Sequence, residues 1–192
     1  MKKVLVTYAT LSGSTAGVAA SIGEALIQKG WEVDILPLAE VSDLGAYDSI
    51  VLGAPMILGW HRSAVRFLQK HREELKEKNL AVFATCLSLT ATGQTRVEGV
   101  PVFLDTFLAR PPHNPLRLTL KEKYSSLPNY VRPILKAARY SRLSSIGFFG
   151  GSLDLRKLKL PAFLFVTLVI QAQPGDRRNW PTIRSWASSL SI

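Results

Sequence analysis

The sequence predicts an α/β domain built on a parallel sheet, and three observations predict it. Continuously apolar or alternating runs, which read as strands, take turns with segments whose apolar residues recur every three to four positions, which read as helices. The first helical segment stops at Gly30, the residue type that supplies the left-handed turn just past a helix end. The last helical segment carries Pro181 in its first turn, where a missing N–H costs nothing.

Taken in order, VLVTY (4–8) is a buried strand, and from Thr15 to Lys29 the residues Val18, Ile22, Ala25 and Leu26 share one helical face. WEVDIL (31–36) alternates, and SIVLGA (49–54) is continuously apolar, as strands covered on both sides are. Ser63 is the expected cap of a helix whose Ala64, Phe67, Leu68 and Leu75 face inward. LAVFATCL (80–87) and SIGFFGG (145–151) read as the fourth and fifth strands, and Trp180–Leu190 as a closing helix. Residues 91–143 interrupt the alternation with the helix breakers of RPPHNP and an amphipathic stretch, LPNYVRPILKAARYSRL. In that stretch Tyr130, Val131, Ile134, Leu135 and Ala138 form an apolar stripe opposite Arg132, Lys136 and Arg139. The insert is too short and broken to hold its own core, so residues 1–192 are expected to form one domain, with the insert against the sheet edge or over the site.

Composition narrows the function classes. A chain of 192 residues that is 47% hydrophobic can bury a substantial core and is not disordered. One cysteine excludes an internal disulfide framework, and without a charged, apolar and cleavable leader the expected location is the cytoplasm. The net charge of +10 is concentrated: residues 110–160 hold eleven Lys and Arg against Glu122 and Asp154, while the rest is nearly neutral. Tyr124, Tyr130 and Tyr140 could stack on bases, but nothing resembles a single-strand recognition motif, so no nucleic-acid partner is expected. His61, His71 and His113 lack metal-ligand spacing, so no metal is expected, and Cys86 reads as a small core residue.

The chemistry is concentrated in TYATLSGSTAGV (7–18), where a strand runs through a hydroxyl-rich turn into a helix. Thr10, Leu11, Ser12, Gly13, Ser14 and Thr15 carry four hydroxyls, one glycine and no charge. A turn between a first strand and first helix aims its N–H groups and the helix dipole at one spot, which is a phosphate site. GxxxxGK[ST] and GxGxxG are both absent, so a monophosphate held by hydroxyls and N–H groups fits better than a nucleoside triphosphate or a dinucleotide. A receiver domain would need acidic residues where Tyr8 and Gly53 stand, and a low-molecular-weight phosphatase would need a cysteine and an arginine around the loop.

This loop resembles the ribityl-phosphate loop of the flavodoxin-type FMN proteins, whose T-x-S-G-S-T pattern stands here at Thr10–Thr15. YDSIVLGAPMILGW (47–60) is similar to that family's third strand and ring-covering loop. The resemblance implies a flavodoxin-like, doubly wound, five-stranded parallel sheet of order 2-1-3-4-5 with helices on both faces, a long basic insert before strand five, and FMN as cofactor. It further implies that Pro55, Met56, Ile57, Leu58 and Gly59 cover the flavin with Trp60 stacking on it, and that Thr85, Cys86, Leu87, Ser88 and Leu89 line the ring edge. Within the family, GAPMILGWHRSAVRFLQKH (53–71) is most similar to the menaquinone-dependent protoporphyrinogen oxidases of bacteria. That likeness implies an FMN-dependent oxidoreductase oxidising an acidic, porphyrinogen-like substrate and passing electrons to a quinone. An NAD(P)H or quinone reductase, or a flavodoxin-type carrier, is the alternative. His61, Arg62, Arg132, Lys136 and Arg139 are the candidate contacts for an acidic substrate or an anionic membrane surface. LPAFLFVTLVI (160–170) is eleven residues, about half of the ~20 needed to cross a bilayer, so it reads as core or as a peripheral membrane contact, preceded by Arg156, Lys157 and Lys159.

Overall fold

The computed structural model describes residues 2–57, 59–154, 160–165, 167–168 and 173–191. The first half runs β1 (Lys3–Tyr8), α1 (Ser14–Gln28), β2 (Glu32–Pro37), β3 (Ser49–Pro55), α2 (Arg62–Lys70), α3 (Arg72–Leu75) and β4 (Asn79–Cys86). The insert supplies β5 (Leu89–Thr90), β6 (Arg96–Val97), β7 (Val100–Leu104), β8 (Ala109–Arg110), α4 (Leu120–Tyr124) and α5 (Leu127–Ala137). The chain then returns through β9 (Arg142–Gly150), β10 (Ser152–Leu153), α6 (Leu160–Phe165), β11 (Gly175–Asp176) and α7 (Trp180–Ser189).

The main sheet has the order β2-β1-β3-β4-β9-β7-β6. Its first five strands are parallel and follow the expected order, with β9 as the fifth core strand. The expected count of five is extended to seven: β7 pairs parallel to β9, with Val102 opposite Ile146, and β6 turns back antiparallel on β7. Alternate strand residues serve opposite layers, as the period of two requires. Leu5, Leu52, Val82 and Phe148 pack beneath α2 and α5, whereas Val4, Val51, Phe83 and Phe149 pack beneath α1 and α7. β3 and β4 read as unbroken apolar runs because helices cover both faces, whereas β2, at the sheet edge, alternates.

Two expectations change here. The segment 63–75 is two helices, since His71 leaves the helical path at φ −98 and ψ 19. Its buried imidazole meets Glu74 Oε1 at 2.7 Å through Nδ1, and Glu74 Oε2 accepts the Leu44 N–H at 2.8 Å. The apolar stripe of the insert helix is also not a membrane face. Tyr130, Val131, Ile134 and Ala138 are buried against the sheet, Tyr130 stacking on Phe148 with ring centres 6.3 Å apart, which leaves Arg132, Lys136 and Arg139 in solvent. Within 160–170, Leu160, Leu164 and Leu168 are 69%, 45% and 69% exposed, so these three are not core. Arg156, Lys157 and Lys159 lie outside the described residues. Among the described residues no helix is long and apolar enough to cross a membrane.

Because α5 is a core helix, Ile134→Ala, at a site with no exposed surface, is expected to lower unfolding free energy in urea by about 2–4 kcal/mol. A neutral result would mean that the stripe is not packed on the sheet.

Candidate functional site

The site lies at the carboxyl ends of β1, β3, β4 and β9, where the strand order reverses between β1 and β3 and leaves a crevice. Thr10, Leu11, Ser12, Ser14, Thr15, Pro55, Ile57, Thr85, Cys86 and Leu87 line one cavity here, joined by Gly151 and Ser152. Its enclosed volume is about 20 Å³, on the scale of a bound water or two and of one end of a ligand.

The loop before α1 is built for an acceptor-only ligand. Gly13, at φ +87, is the residue preceding α1 and takes the left-handed conformation that glycine adopts without strain. No side chain caps the helix, so its first N–H groups and the positive end of its dipole are left for something outside the chain. Three of the four hydroxyls hold the loop in shape. Thr10 Oγ1 accepts the Gly13 N–H at 2.9 Å, Ser14 Oγ accepts the Ser152 N–H at 2.7 Å, and Thr15 Oγ1 shares a buried bond with Thr85 Oγ1 at 2.9 Å. A hydroxyl has one proton and two lone pairs, so Thr10 and Ser14 spend lone pairs on the protein and keep their protons to donate. Ser12, half-buried and without a protein partner, keeps its proton too. A phosphate, which only accepts, fits this donor set.

The second loop, after β3, divides into an inward and an outward part. The Met56 N–H donates to the Thr85 carbonyl at 2.8 Å, and Met56 bridges antiparallel to Trp60. This turns both side chains inward, Met56 at 2% and Trp60 at 5% exposure. Trp60 is therefore a core residue and not the stacking partner expected for the ring; Ile57 and Pro55 face the cavity instead. Leu58 lies outside the described residues. Gly59, at φ +93, presents its N–H to the Tyr124 hydroxyl oxygen at 2.6 Å. Thus the insert, through α4, grips the second loop.

His61, rather than Ser63, is the residue that caps α2: Nδ1 accepts the Ser63 N–H at 3.4 Å and meets Ser63 Oγ at 2.6 Å. Nδ1 acting as acceptor puts the proton of the neutral ring on Nε2. Burial holds the imidazole below its usual 6.5. Arg62 is exposed at the start of α2.

Along the third loop only Thr85, Cys86 and Leu87 reach the cavity. Ser88 turns to Ser125, its Oγ donating at 3.4 Å, and Leu89 is buried where β5 pairs with β8. The Cys86 thiol is pushed far up by burial first and then by the charge of Asp105, so it is no nucleophile. Lys136 and Arg139 are not at this site: they line a groove beside Leu68 and Arg72 that shares no lining residue with it. Arg132 is exposed on the outer face of α5. Among the described residues no group of three potential metal ligands occurs.

Gly151, Ser152 and Tyr124 were not singled out as site residues from the sequence. The Gly150-Gly151 pair at the end of the fifth apolar run was the available signal. A Cβ on Gly150 would stand 2.0 Å from the Arg177 carbonyl, and one on Gly151 would stand 3.3 Å from Ser14 Oγ.

Three outcomes follow for FMN and for stability. Ser12→Asp puts a carboxylate where phosphate belongs and is expected to weaken FMN by a hundredfold or more, about 3 kcal/mol, against about 1 kcal/mol for Ser12→Ala; flavin fluorescence titration reads both. Tyr124→Phe strips Gly59 of its acceptor and is expected to cost about 1 kcal/mol in FMN affinity, with the melting midpoint nearly unchanged. For His61 the folded-state value is depressed, so below about 6.5 the unfolded chain binds the extra proton and stability falls with pH. His61→Asn keeps a capping oxygen and is expected to flatten urea midpoints between about pH 7 and 5; unchanged slopes would exclude His61 as their source.

Comparison with known proteins agrees with this geometry. A family model described as "Flavodoxin domain" matches residues 5–178. A candidate flavoprotein from Bacteroides eggerthii superposes with a TM-score of 0.51 at 16% identity, covering 100% of this chain and 99% of that one. Oxidised Flavodoxin 2 from Bacillus cereus gives 0.50 at 18% identity, covering 96% and 94%. A flavodoxin from the domain Archaea gives 0.42 at 21% identity, with 44% of this chain and 62% of that one covered. At these identities the first two structures speak for the fold alone. No curated protein matches the chain. With the family model spanning most of the sequence and a loop fitted to one phosphate, this chain belongs to the flavodoxin-domain family and is an FMN-binding redox protein.

Proposed function

We propose that the chain is an FMN-dependent oxidoreductase with a substrate of its own, oxidising an acidic, porphyrinogen-like molecule and delivering the electrons to a quinone. FMN, when bound, supplies the two-electron chemistry. The chain's own contribution is to fix the phosphate at Thr10–Thr15, to hold the second loop through Tyr124, and to shape the space beside the flavin edge. The observation that carries the reading is a cavity built by the insert, of about 650 Å³, beside β7. Ala91, Val102, Leu104 and Ala109 make its lining mostly apolar. It opens only a few residues past the third loop, two strands from β4, or about 10 Å at the usual strand spacing. A carrier that only docks on other proteins has no use for such a cavity, whereas a flat, apolar quinone is of the right class for it.

Charge supports the acidic substrate. Carriers that dock on basic partners are themselves acidic, and this chain carries +10. Arg62, exposed directly after the second loop, is the described cation best placed in sequence to meet a carboxylate near the flavin. No acid–base residue is assigned: Cys86 and Tyr130 are both pushed up by burial, and neither offers a proton at neutral pH.

The test is anaerobic reoxidation of the reduced, FMN-loaded protein by menadione, a soluble naphthoquinone. Saturable reoxidation is expected, with Thr106→Trp, an exposed residue lining the cavity, raising KM at least about tenfold while leaving FMN affinity unchanged, since a filled site forfeits well over 1.4 kcal/mol. A rate linear in menadione and indifferent to Thr106→Trp would remove the acceptor site. Protoporphyrinogen that fails to reduce the bound flavin would remove the substrate.

A further inference from the structure

A third cavity lies on the α2–α5 side of the sheet, away from the flavin loops. It is a groove of about 540 Å³ between the last turns of α2 and α5, within the range of small-ligand sites. Val65, Leu68, Pro133 and Ala137 give it an apolar floor. Arg72, Lys136 and Arg139 stand among its lining residues, and none of those residues is acidic. Lys136 has no carboxylate within ion-pair reach among the described residues, and Arg139 lies over the Tyr140 ring at 4.5 Å. Arg72 has only an exposed contact with Glu73, at 3.2 Å, and Glu73 also serves Lys76 at 2.6 Å.

Three like charges converging on one groove repel one another, and an apolar floor open to water is itself unfavourable. The C-terminal end of α5 favours a cation such as Lys136; that does not account for the other two or for the hollow they surround. A ligand with an apolar body and a single anionic head satisfies both halves of the groove, the body on Val65, Leu68 and Pro133 and the head between Lys136 and Arg139. We propose that this groove binds a small amphipathic anion, an acyl carboxylate or the anionic head of a lipid, at a site separate from the flavin. The proposal does not depend on the oxidoreductase reading, because the groove and the cavity of the flavin loops share no lining residue.

The experiment is calorimetric titration of the FMN-loaded protein with decanoate, with decanol as the uncharged control. Vesicles of phosphatidylcholine with and without phosphatidylglycerol form a second arm. One decanoate per chain is expected, with decanol binding at least about tenfold more weakly for want of the charge-assisted contacts. The double variant Lys136→Glu, Arg139→Glu should lose decanoate by tenfold or more while binding FMN as wild type does. Ala137→Trp, which fills the groove without touching its charge, should lose decanoate as well and guards against a charge effect acting at a distance. Decanoate binding without vesicle binding assigns the groove to a soluble acyl anion; binding to anionic vesicles that decanoate competes away assigns it to a lipid head. Vesicle binding that decanoate neither shares nor competes for overturns the proposal. Decanol binding equal to decanoate, wild-type affinity in either variant, or no binding of either probe overturns it too.

Discussion

The start of α1 is the constraint on which the site depends. A helix that opens on a left-handed glycine with no capping side chain has N–H groups that must find an acceptor, and a dipole that favours a negative one. Among the described residues no side chain caps them. The chain spends lone pairs of Thr10 and Ser14 on holding the loop, ties Thr15 to Thr85 beneath it, and leaves protons facing outward. Such a loop is preorganised for an anion. The sheet exists around it in the sense that matters for function: β1 delivers the loop, β4 braces it through Thr85, and the end of β9 closes it through Ser152.

The basic insert is tied into this arrangement at two levels. β7 adds to the sheet beside β9 and α5 buries its apolar face under α2, so the segment shares the core of the domain. From that base, α4 carries Tyr124 to the Gly59 N–H. The second loop is thereby held by a residue sixty-five positions away, which commits its glycine to one orientation. Trp60 contributes from below. Its indole is in the core, with Nε1 lacking a partner among the described residues.

What could be read in the sequence was local, and what could not was mostly long-range. Most of the core strands are legible because burial on both faces makes them continuously apolar, β2 is legible by its alternation, and the donors of the first loop are legible because they are consecutive. The strand VPVFL is obscured by Pro101, which is tolerated here because β7 takes its parallel pairs from Val102 onward. The stripe on α5 had the period of an amphipathic helix, and period alone does not say whether the apolar face meets lipid or a sheet; Phe148 opposite Tyr130 decides it. Trp60 was misplaced because a one-bridge turn from Met56 reverses the side-chain direction, a geometry with no sequence period. The Ser14–Ser152 and Gly59–Tyr124 contacts join residues far apart in the chain, and only the fold brings them together. Lys136 and Arg139 were recognised as exposed cations, but their convergence with Arg72 depends on how α2 packs against α5.

The central claim is that an anion at the start of α1 anchors the flavin. Comparing FMN with riboflavin, which is the same ring and ribityl chain without the phosphate, tests it most directly by titration of the flavin-free protein. The account predicts that riboflavin binds at least about a hundredfold more weakly, since it leaves the donors of Thr10 to Thr15 unpaired, and that inorganic phosphate competes with FMN and leaves riboflavin untouched. Equal affinities for FMN and riboflavin would contradict it.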